Sequence, residues 1–428
     1  MSYTDFLEAK NRHAAPAGRD VAGMVHPMLH GWQSAIVEWA ALRGRAALFE
    51  DCGLGKTFQQ VEWARLVADR ALIVAPLSVA RQTVREAARL GVEVTYTRNH
   101  PNDGPGIWIT NYEMTTHVDP GDFEAVVLDE SSVLKNEDAK TRRRLTDQCR
   151  DVPYRLACTA TPAPNDVAEL TNHAEWLGLM PRNEMLAAYF INDDKGWRLK
   201  GHARAALVDW ISTWAVAMRT PSDVGWPDAG YDLPPLRIHS EVVDVELEAE
   251  GQLFPTDLGG IGGRAKVRRA TLDARTERAA RIVAGNEQAI VWCALNDEAK
   301  SVADAVDGAV NVEGSWTPEA KAEALEAFQD GDVRVLVTKT SIAGFGMNFQ
   351  NCHRMVFCGL GDSYEQYYQA VRRCWRYGQE HPVDAWVVVS ELETQIVDNV
   401  ARKASQAGWL VDEIAARTNI DRKQRIAA

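Results

Sequence analysis

Short apolar runs rich in β-branched residues alternate along the chain with longer segments that have helical spacing. This alternation is typical of βαβ units, in which helices connect the strands of a parallel sheet. A first series contains "AALFED", "ALIVAPLS", "IWITNYE", "AVVLDES" and "RLACTAT". A second contains "AIVWCAL", "AVNVEG", "VRVLVTKT", "RMVFCGL" and "AWVVVS". The pattern predicts an α/β protein with two parallel sheets.

A segment rich in Pro, Gly and Asp, "TPSDVGWPDAGYDLPPLR", separates the two series and predicts a linker. With 428 residues the chain is too long for one ordinary core. We therefore predict a first domain over residues 1–225, a linker over 226–250 and a second domain over 251–428. Tryptophans and alanines at helical spacing predict a small helical appendage over residues 183–218.

The composition, 46% hydrophobic and 25% charged, is that of a soluble globular protein. No stretch approaches the ~18 uncharged apolar residues of a membrane span. The start, "MSYTDFLEAKNRHAAP", lacks the basic and then apolar layout of a secretory signal. Seven cysteines without paired short spacings predict reduced, buried thiols rather than zinc ligands. We expect a cytoplasmic protein with no membrane partner.

The net charge of −13, taken by itself, argues against a polyanionic partner. Two basic clusters, "KTRRRLTDQCR" from Lys140 and "RAKVRRATLDARTERAAR" from Arg264, qualify that argument. Before context is added, such a cluster is more often a solvated helix face than a binding surface. A basic groove on an acidic protein nevertheless collects phosphate locally. The charge therefore leaves nucleic acid open as a partner.

The stretch "ALFEDCGLGKTFQQ" takes the chain from an apolar run through two glycines, Gly53 and Gly55, into a helical segment. Such a turn aims backbone N–H groups and the positive helix end at one point, where Lys56 neutralises phosphate and Thr57 holds Mg²⁺. The full phosphate-loop pattern begins with glycine, whereas this chain has Glu50 there. A structural glycine turn is the alternative.

The stretch "AVVLDESSVLKN" places two acids, Asp129 and Glu130, where a buried strand ends. Ligands of open α/β sheets lie at that edge. Two adjacent acids there suit a division of labour in which Asp129 completes the Mg²⁺ shell and Glu130 orients or deprotonates the attacking water. Alone this pair is more often part of a solvated loop, but after a Gly-Lys-Thr loop it is the expected second half of an NTPase site.

The order of these motifs resembles helicase superfamily two, and most closely the Swi/Snf-type DNA translocase ATPases in a compact phage or bacterial form. The resemblance runs from about Leu29 to about Ser390. "LHGWQSAIVEWAAL" is similar to the segment that carries an adenine-reading glutamine, here Gln33. "EDCGLGKTFQQ" resembles the family's phosphate loop, which also lacks the first glycine. "RLACTATPAPNDVAEL" is similar to the coupling motif, with Thr159 and Thr161 in the hydroxyl positions.

The resemblance continues through the second half of the chain. "LPPLRIHSEVVDVELEAE" resembles the family's crossing segment, and "YYQAVRRCWRYGQ" resembles the last motif. The chain departs from the family where Ser132 replaces a common histidine and where Arg372 and Trp375 replace an acid and a histidine. The stretch 235–289 is also much shorter than in chromatin remodellers, which leaves little room for their helical protrusions.

The resemblance implies two RecA-like domains in tandem that use ATP and Mg²⁺. Five residues would be catalytic: Lys56, Asp129, Glu130, Arg373 and Arg376. Nucleotide would also contact Gln33, Gly53, Gly55, Thr57, Gly344 and Gly346. For the last two glycines a strand-to-helix turn is the alternative, but their position between a strand and Arg373 favours close approach to phosphate. Nucleic-acid contacts would come from Ser78, Arg81, Thr110, Asn111, Thr338, Lys339 and Thr340, for each of which a capping or turn-forming role is the alternative.

These motifs predict an ATP-driven translocase or helicase that acts on DNA. One alternative is a nucleotide-dependent clamp or scaffold that binds nucleic acid without moving, although a clamp has no need of the hydrolytic set formed by Lys56, Glu130 and the two arginines. Another is an RNA-directed helicase, because motifs that track phosphates read the sugar poorly. The paired prolines and the "GLGKT" spelling resemble the DNA-directed group.

Overall fold

The computed structural model describes residues 17–135, 140–194, 196–244, 268–343, 348–361 and 363–418. These residues divide into two compact units. Described residues up to Tyr231, together with those from Ala404 onward, form the first unit, and those from Asp232 to Lys403 form the second. Each unit is built around its own parallel sheet.

The first sheet has seven strands in the order β3-β4-β2-β5-β6-β1-β9, and every neighbouring pair is parallel. The strands are β1 Arg45–Glu50, β2 Arg70–Ala75, β3 Val94–Tyr96, β4 Gly106–Asn111, β5 Ala125–Asp129, β6 Tyr154–Cys158 and β9 Ala215–Met218. An antiparallel hairpin, β7 Phe190–Asp193 and β8 Gly196–Leu199, lies outside this sheet. The central strands are almost wholly buried, as expected for a parallel sheet covered on both faces.

Helices connect the strands of the first unit. They are α1 Gly31–Arg43, α2 Lys56–Val67, α3 Leu77–Arg89, α4 Lys140–Gln148, α5 Leu170–Trp176, α6 Arg182–Tyr189 and α7 Arg204–Ile211. Single 3₁₀ turns follow several strands, among them Tyr112–Thr116 and Ser131–Lys135. The principal core combines side chains of the sheet with the tryptophans Trp176, Trp210 and Trp214.

The second sheet has six strands in the order β10-β15-β14-β11-β13-β12, again all parallel. The strands are β10 Leu236–Val243, β11 Ala289–Cys293, β12 Ala309–Val312, β13 Val335–Lys339, β14 Arg354–Cys358 and β15 Val383–Ser390. The helices are α8 Leu272–Ile282, α9 Asn296–Ala305, α10 Pro318–Asp330, α11 Thr340–Ala343, α12 Tyr364–Cys374 and α13 Thr394–Ala415. The two parallel sheets confirm the predicted α/β fold of two RecA-like domains.

Three details differ from the boundaries predicted from sequence. The appendage over 183–218 is only partly helical, because it contains the β7–β8 hairpin and ends in β9, an edge strand of the first sheet. The linker over 226–250 contains β10, whose alternating pattern "LRIHSEVV" pairs along its whole length with β15. The described residues from Ala404 onward group with the first unit, because Leu410, Val411 and Ile414 join its core.

All seven cysteines are free and buried, which confirms the prediction of reduced thiols. Within the described ranges no helix is both long enough and apolar enough to cross a membrane.

Candidate functional site

The phosphate loop lies between the carboxyl end of β1 and the start of α2. Gly53 (φ 91°) and Gly55 (φ 75°) both adopt the left-handed region, which a glycine enters without steric cost. Helix α2 begins at Lys56, so the first-turn N–H groups of Lys56 and Thr57 lack intrahelical acceptors and face the loop. The Lys56 ammonium donates to the carbonyls of Glu50 (2.7 Å) and Asp51 (2.9 Å) and is thereby held across the loop. This arrangement fits a phosphate group.

The Gln33 side chain connects α1 to the phosphate loop by hydrogen bonds. Its Nε2 donates to the Leu54 carbonyl at 2.9 Å, and its Oε1 accepts from the His30 backbone N–H at 2.9 Å. A Cβ at position 55 would lie 2.5 Å from the Gln33 amide, so the close approach requires Gly55. The structure therefore gives Gln33 a loop-holding role, and its contact with adenine stays a prediction.

Glu50 is fully buried behind the loop, at the position where the general pattern has glycine. Its Oε2 accepts from Gln59 Nε2 at 2.8 Å, while Oε1 has no hydrogen-bond partner among the described residues. Burial raises the pKa of Glu50 to about 7, although Lys56 and the bond from Gln59 oppose the shift. A buried carboxyl group with a pKa near neutral pH therefore lies directly behind the phosphate loop.

We expect Glu50→Gln to remove a pH-dependent loss of stability. The raised pKa means that unfolding releases a proton between pH 4.5 and about 7, so the free energy of unfolding falls as the pH rises through this window. The full effect is at most about 3 kcal/mol. The difference between the unfolding midpoints of the variant and of wild type should therefore increase in favour of the variant when the pH is raised from about 5 to about 8.

Glu93→Gln, which removes an exposed carboxylate of the same unit, is the matched control for that measurement. His173 does not confound it, because this histidine is present in both proteins. Burial lowers the pKa of His173 to about 4, so its own contribution runs the other way and is lost as the pH falls below 6.5. A midpoint difference for Glu50→Gln that does not change with pH would contradict the titration of Glu50.

The acidic pair lies at the carboxyl end of β5. Asp129 is buried, and its Oδ1 accepts from Gln60 Nε2 (2.8 Å) and from the Glu130 N–H (3.0 Å). Burial raises the pKa of Asp129, with the Gln60 bond and Lys56 opposing the rise. Glu130 has a φ of 54°, which makes it the only non-glycine residue with positive φ in the described part of the chain. Backbone strain of this kind is found where a side chain must be aimed.

The residues present fit a hydrated Mg²⁺ ion. Asp129 Oδ2 has no hydrogen bond to the described residues, and a cation near it would offset the cost of burying the charged carboxylate. The described residues hold no cluster of three or more His, Cys, Asp or Glu side chains suited to a metal. One carboxylate with one hydroxyl is what Mg²⁺ needs when phosphates and water complete its shell. Asp129 and Thr57 would hold the ion, which would neutralise phosphate charge when bound.

The segment after the acidic pair connects to a buried histidine. Ser131 Oγ lies 3.2 Å from His173 Nε2 in α5, and the His173 ring packs edge-on against Phe49. Ser132, in the position of the family's histidine, is buried and makes no hydrogen bond to the described residues of the coupling motif. Within that motif the Thr161 N–H donates to Thr159 Oγ1 at 3.1 Å. The acidic motif is therefore connected to α5 by the hydrogen bond between the Ser131 hydroxyl and His173.

The predicted nucleic-acid contacts of the first unit differ in exposure. Ser78 and Arg81 are exposed at the start of α3. Thr110 is fully buried and its hydroxyl donates to the Thr97 carbonyl at 2.8 Å, so the structure gives it a role between neighbouring segments, and its contact with nucleic acid stays a prediction. Asn111 is buried too, with Nδ2 donating to Glu113.

The predicted nucleic-acid contacts of the second unit also differ in exposure. Thr338 is fully buried and its hydroxyl donates to the Val312 carbonyl at 3.1 Å, so the structure gives it a role between neighbouring strands, and its contact with nucleic acid stays a prediction. Lys339 and Thr340 line a pocket of about 290 Å³ at the carboxyl edge of the second sheet, where Lys339 Nζ donates to Asn296 Oδ1. Gly344 and Gly346 lie outside the described residues.

The two predicted catalytic arginines lie at the end of α12 and just after it. Arg373 is 5% exposed, and its guanidinium donates to the carbonyl (3.1 Å) and to Oε1 (2.7 Å) of Gln369. Arg376 is partly exposed. Trp375, between them, donates from Nε1 to the Pro234 carbonyl at 2.7 Å, and the Arg372 guanidinium lies over its ring. Trp375 and Arg372 therefore pack together at the end of α12, and Trp375 connects this end to the segment before β10.

Sequence reasoning missed the polar residues behind the site. Gln59 and Gln60 of α2 are fully buried and bind the two carboxylates, Glu50 and Asp129. A signal was present, because two adjacent glutamines and Glu62 follow the loop on a helix that is otherwise apolar toward the sheet. Gln60 thus connects the phosphate-loop helix directly to the acidic motif.

Two family models match the chain. The SNF2-related domain matches residues 32–182, and the helicase conserved C-terminal domain matches residues 274–378. No curated protein sequence matches the chain. Among solved structures, the chain is similar to the Sulfolobus solfataricus SWI2/SNF2 ATPase core in complex with dsDNA, with 17% identity, a TM-score of 0.42, and coverage of 94% of this chain and 96% of that one.

The two family matches occur in the expected order. The first contains the phosphate loop and the acidic pair, and the second contains α8 to α12 with Arg373 and Arg376. The chain belongs to helicase superfamily two, as a Swi/Snf-like ATPase with a tandem pair of RecA-like domains.

Proposed function

We propose that this protein is a DNA-stimulated ATPase that couples hydrolysis to movement along DNA. The observation that carries the proposal is the direct hydrogen bond from Gln60, in the helix that begins with Lys56, to Asp129 of the acidic motif. It joins the group that binds phosphate to the group suited to the metal. Such a site needs no other cofactor than ATP and Mg²⁺.

Each residue of the proposed site has a separate role. Lys56 and the N–H groups at the start of α2 neutralise and hold the phosphates of ATP. Asp129 and Thr57 bind the metal, and Glu130 accepts the proton of the attacking water. Arg373 and Arg376, by the resemblance of their motif, would supply positive charge that stabilises the phosphates during transfer. Because stabilisation is electrostatic, small displacements of these groups change the rate strongly.

DNA as the track is supported by membership of the Swi/Snf-like group and by Ser78 and Arg81, which are exposed after the carboxyl end of β2, the same edge of the sheet as the phosphate loop. Phosphate-backbone contacts give affinity without base specificity. Lys339 and Thr340, at the carboxyl edge of the second sheet, are further candidates for phosphate contacts. A static clamp and an RNA-directed enzyme remain the competing functions.

We expect DNA to stimulate ATP hydrolysis, and the stimulation to fall as salt rises, because phosphate contacts release counterions. Stimulation should also grow with duplex length before it levels off, since a moving enzyme meets the ends of a long track less often. Turnover is measured on duplexes of increasing length, on single strands and on RNA, and is followed by displacement of a triplex-forming strand.

Lys56→Ala protein, purified in parallel, reports any contaminating ATPase in that assay. Stimulation that saturates at the footprint, with no triplex displaced, would support the clamp. Stronger activation by RNA than by any DNA would support the RNA-directed function. Either result would remove the DNA translocase proposal.

A further inference from the structure

A second cationic site lies in the first unit, at the edge of the sheet opposite to the phosphate loop. A pocket of about 520 Å³ opens beside the amino ends of β1 and β6 and the helix α4. We call it the arginine pocket, because five of the described residues that line it are arginines: Arg45, Arg142, Arg143, Arg150 and Arg155. Strand β1 separates it from the phosphate loop by about 17 Å, at about 3.3 Å per residue.

Two of these arginines lie side by side at its base. Arg45 and Arg155 are register partners on the parallel strands β1 and β6, so their side chains leave the sheet on the same face. Like charges in direct register are destabilising. Gly178 makes room for them: a Cβ at that position would lie 2.9 Å from Arg45 Nη1 and 3.0 Å from Arg155 Nη2. The backbone is thus shaped to bring two guanidinium groups together.

Neither of the two has a carboxylate partner within the described part of the chain. Arg155 is 2% exposed and donates to the carbonyls of Val152 (3.0 Å), Arg150 (3.0 Å) and Trp176. Arg45 donates to the carbonyls of Pro153 and Val152, and its Nη1 donates to none of the described residues. Burial, followed by the repulsion from Arg45, lowers the pKa of Arg155 to about 10. Carbonyl groups satisfy N–H groups but do not neutralise charge.

The two acids of the pocket are already engaged. Glu175 Oε2 pairs with Arg142 Nη1 at 2.6 Å, and its Oε1 accepts from the Arg182 N–H at 3.2 Å. Asp147 pairs with Arg150 at the exposed rim, at 2.7 Å. Thr146 Oγ1, on the pocket wall, is buried with no hydrogen-bond partner among the described residues. Arg45 and Arg155 therefore contribute positive charge that these two acids do not balance, and the wall also carries an unused hydroxyl, in a protein whose net charge is −13.

We propose that the arginine pocket binds a phosphate group, at a site separate from the nucleotide site. Arg45, Arg143 and Arg150 would contact the phosphate oxygens, and the covered charge of Arg155 would add to the attraction. Guanidinium groups match the planar fork of phosphate oxygens better than ammonium groups do. In this proposal the basic cluster "KTRRRLTDQCR" is part of a binding surface and is not only a solvated helix face.

The source of the phosphate group is either a small phosphorylated molecule or the backbone of nucleic acid. The pocket volume is within the range of small-ligand sites, and Leu179, Met180 and Pro181 give its rim an apolar part, as such sites commonly have. The same experiment separates the two sources.

The test is equilibrium dialysis of labelled pyrophosphate against the full chain, with the nucleotide site saturated by a non-hydrolysable ATP analogue and Mg²⁺. We expect pyrophosphate to bind wild type and to stay bound as the analogue concentration rises. Loss of one charged contact should weaken binding about tenfold in Arg45→Gln. Because Arg45 also holds the 152–153 carbonyls, a second test is the double variant Arg143→Gln/Arg150→Gln, at exposed positions where a lost ion pair costs little stability.

Arg98→Gln, an exposed arginine of the same unit outside the pocket, should bind pyrophosphate like wild type. Displacement of bound pyrophosphate by short DNA identifies the nucleic-acid backbone as the source, and its retention identifies a small phosphorylated molecule. Absence of binding at saturating analogue, or equal affinity in wild type and both pocket variants, would overturn the proposal. Failure of this test leaves the ATPase proposal unaffected, since none of these arginines belongs to the nucleotide site.

Discussion

Glu130→Gln should reduce steady-state ATP hydrolysis by about 10² to 10⁴-fold, the range for loss of a general base. The amide keeps the size of the carboxylate and its position beside Asp129, but it cannot take the proton of the attacking water. ATP binding should persist, because the phosphate loop and Asp129 are untouched. Turnover and nucleotide affinity are measured on the same preparation, so that slow chemistry is distinguished from an empty site.

Lys56→Ala provides the complementary result. It removes the charge that faces phosphate, along with the two bonds to the Glu50 and Asp51 carbonyls that hold the loop, so both affinity and turnover should fall. Glu93→Gln, exposed in the same unit, controls for the change of charge in Glu130→Gln. Near-normal hydrolysis by Glu130→Gln would show that another group activates the water, and the acidic pair would lose its proposed role.

Arg376→Ala should lower the turnover number by about 10³-fold while ATP affinity changes little, because an arginine of this kind acts on charge that develops during phosphoryl transfer. Arg376→Lys should not restore the rate, since an ammonium lacks the fork of a guanidinium. Turnover at saturating ATP and the dissociation constant of a non-hydrolysable analogue give the two quantities.

Arg373→Ala is expected to show a similar loss of turnover together with lower stability of the second unit, because its guanidinium is bound to Gln369 inside α12. The unfolding midpoint separates these effects. Arg281→Ala removes only an exposed pair with Glu277 and serves as the control. Equal losses of affinity and turnover in Arg376→Ala would make this arginine a structural residue.

The periodic pattern was sufficient for most of the fold. Every apolar run quoted from the two series forms a strand, because a strand buried on both faces must be apolar along its length. The failures are edge strands. The four residues of β9 were hidden in an alanine- and tryptophan-rich segment, and β10 was assigned to a linker because two prolines precede it, although its alternating pattern was visible.

The site was predictable where one motif contains all the chemistry, as for Lys56 and the acidic pair. It was not predictable where the arrangement depends on strand order. Asp129 and Gln60 meet although 69 positions separate them, and Arg45 pairs in register with Arg155 across a still longer separation. The hydroxyls of Thr110 and Thr338 were equally out of reach of sequence reasoning, because only the strand pairing reveals which neighbouring carbonyl each one binds.

The left-handed backbone of Glu130 has a consequence for how this chain responds to selection. A non-glycine residue held in that region costs about 1 to 3 kcal/mol, and glycine at the same position would cost almost nothing. A library screened only for heat resistance would therefore enrich Glu130→Gly and discard the carboxylate. Folding and catalysis place opposite demands on this one position, so a glutamate retained there in related chains would indicate selection for hydrolysis rather than for the fold.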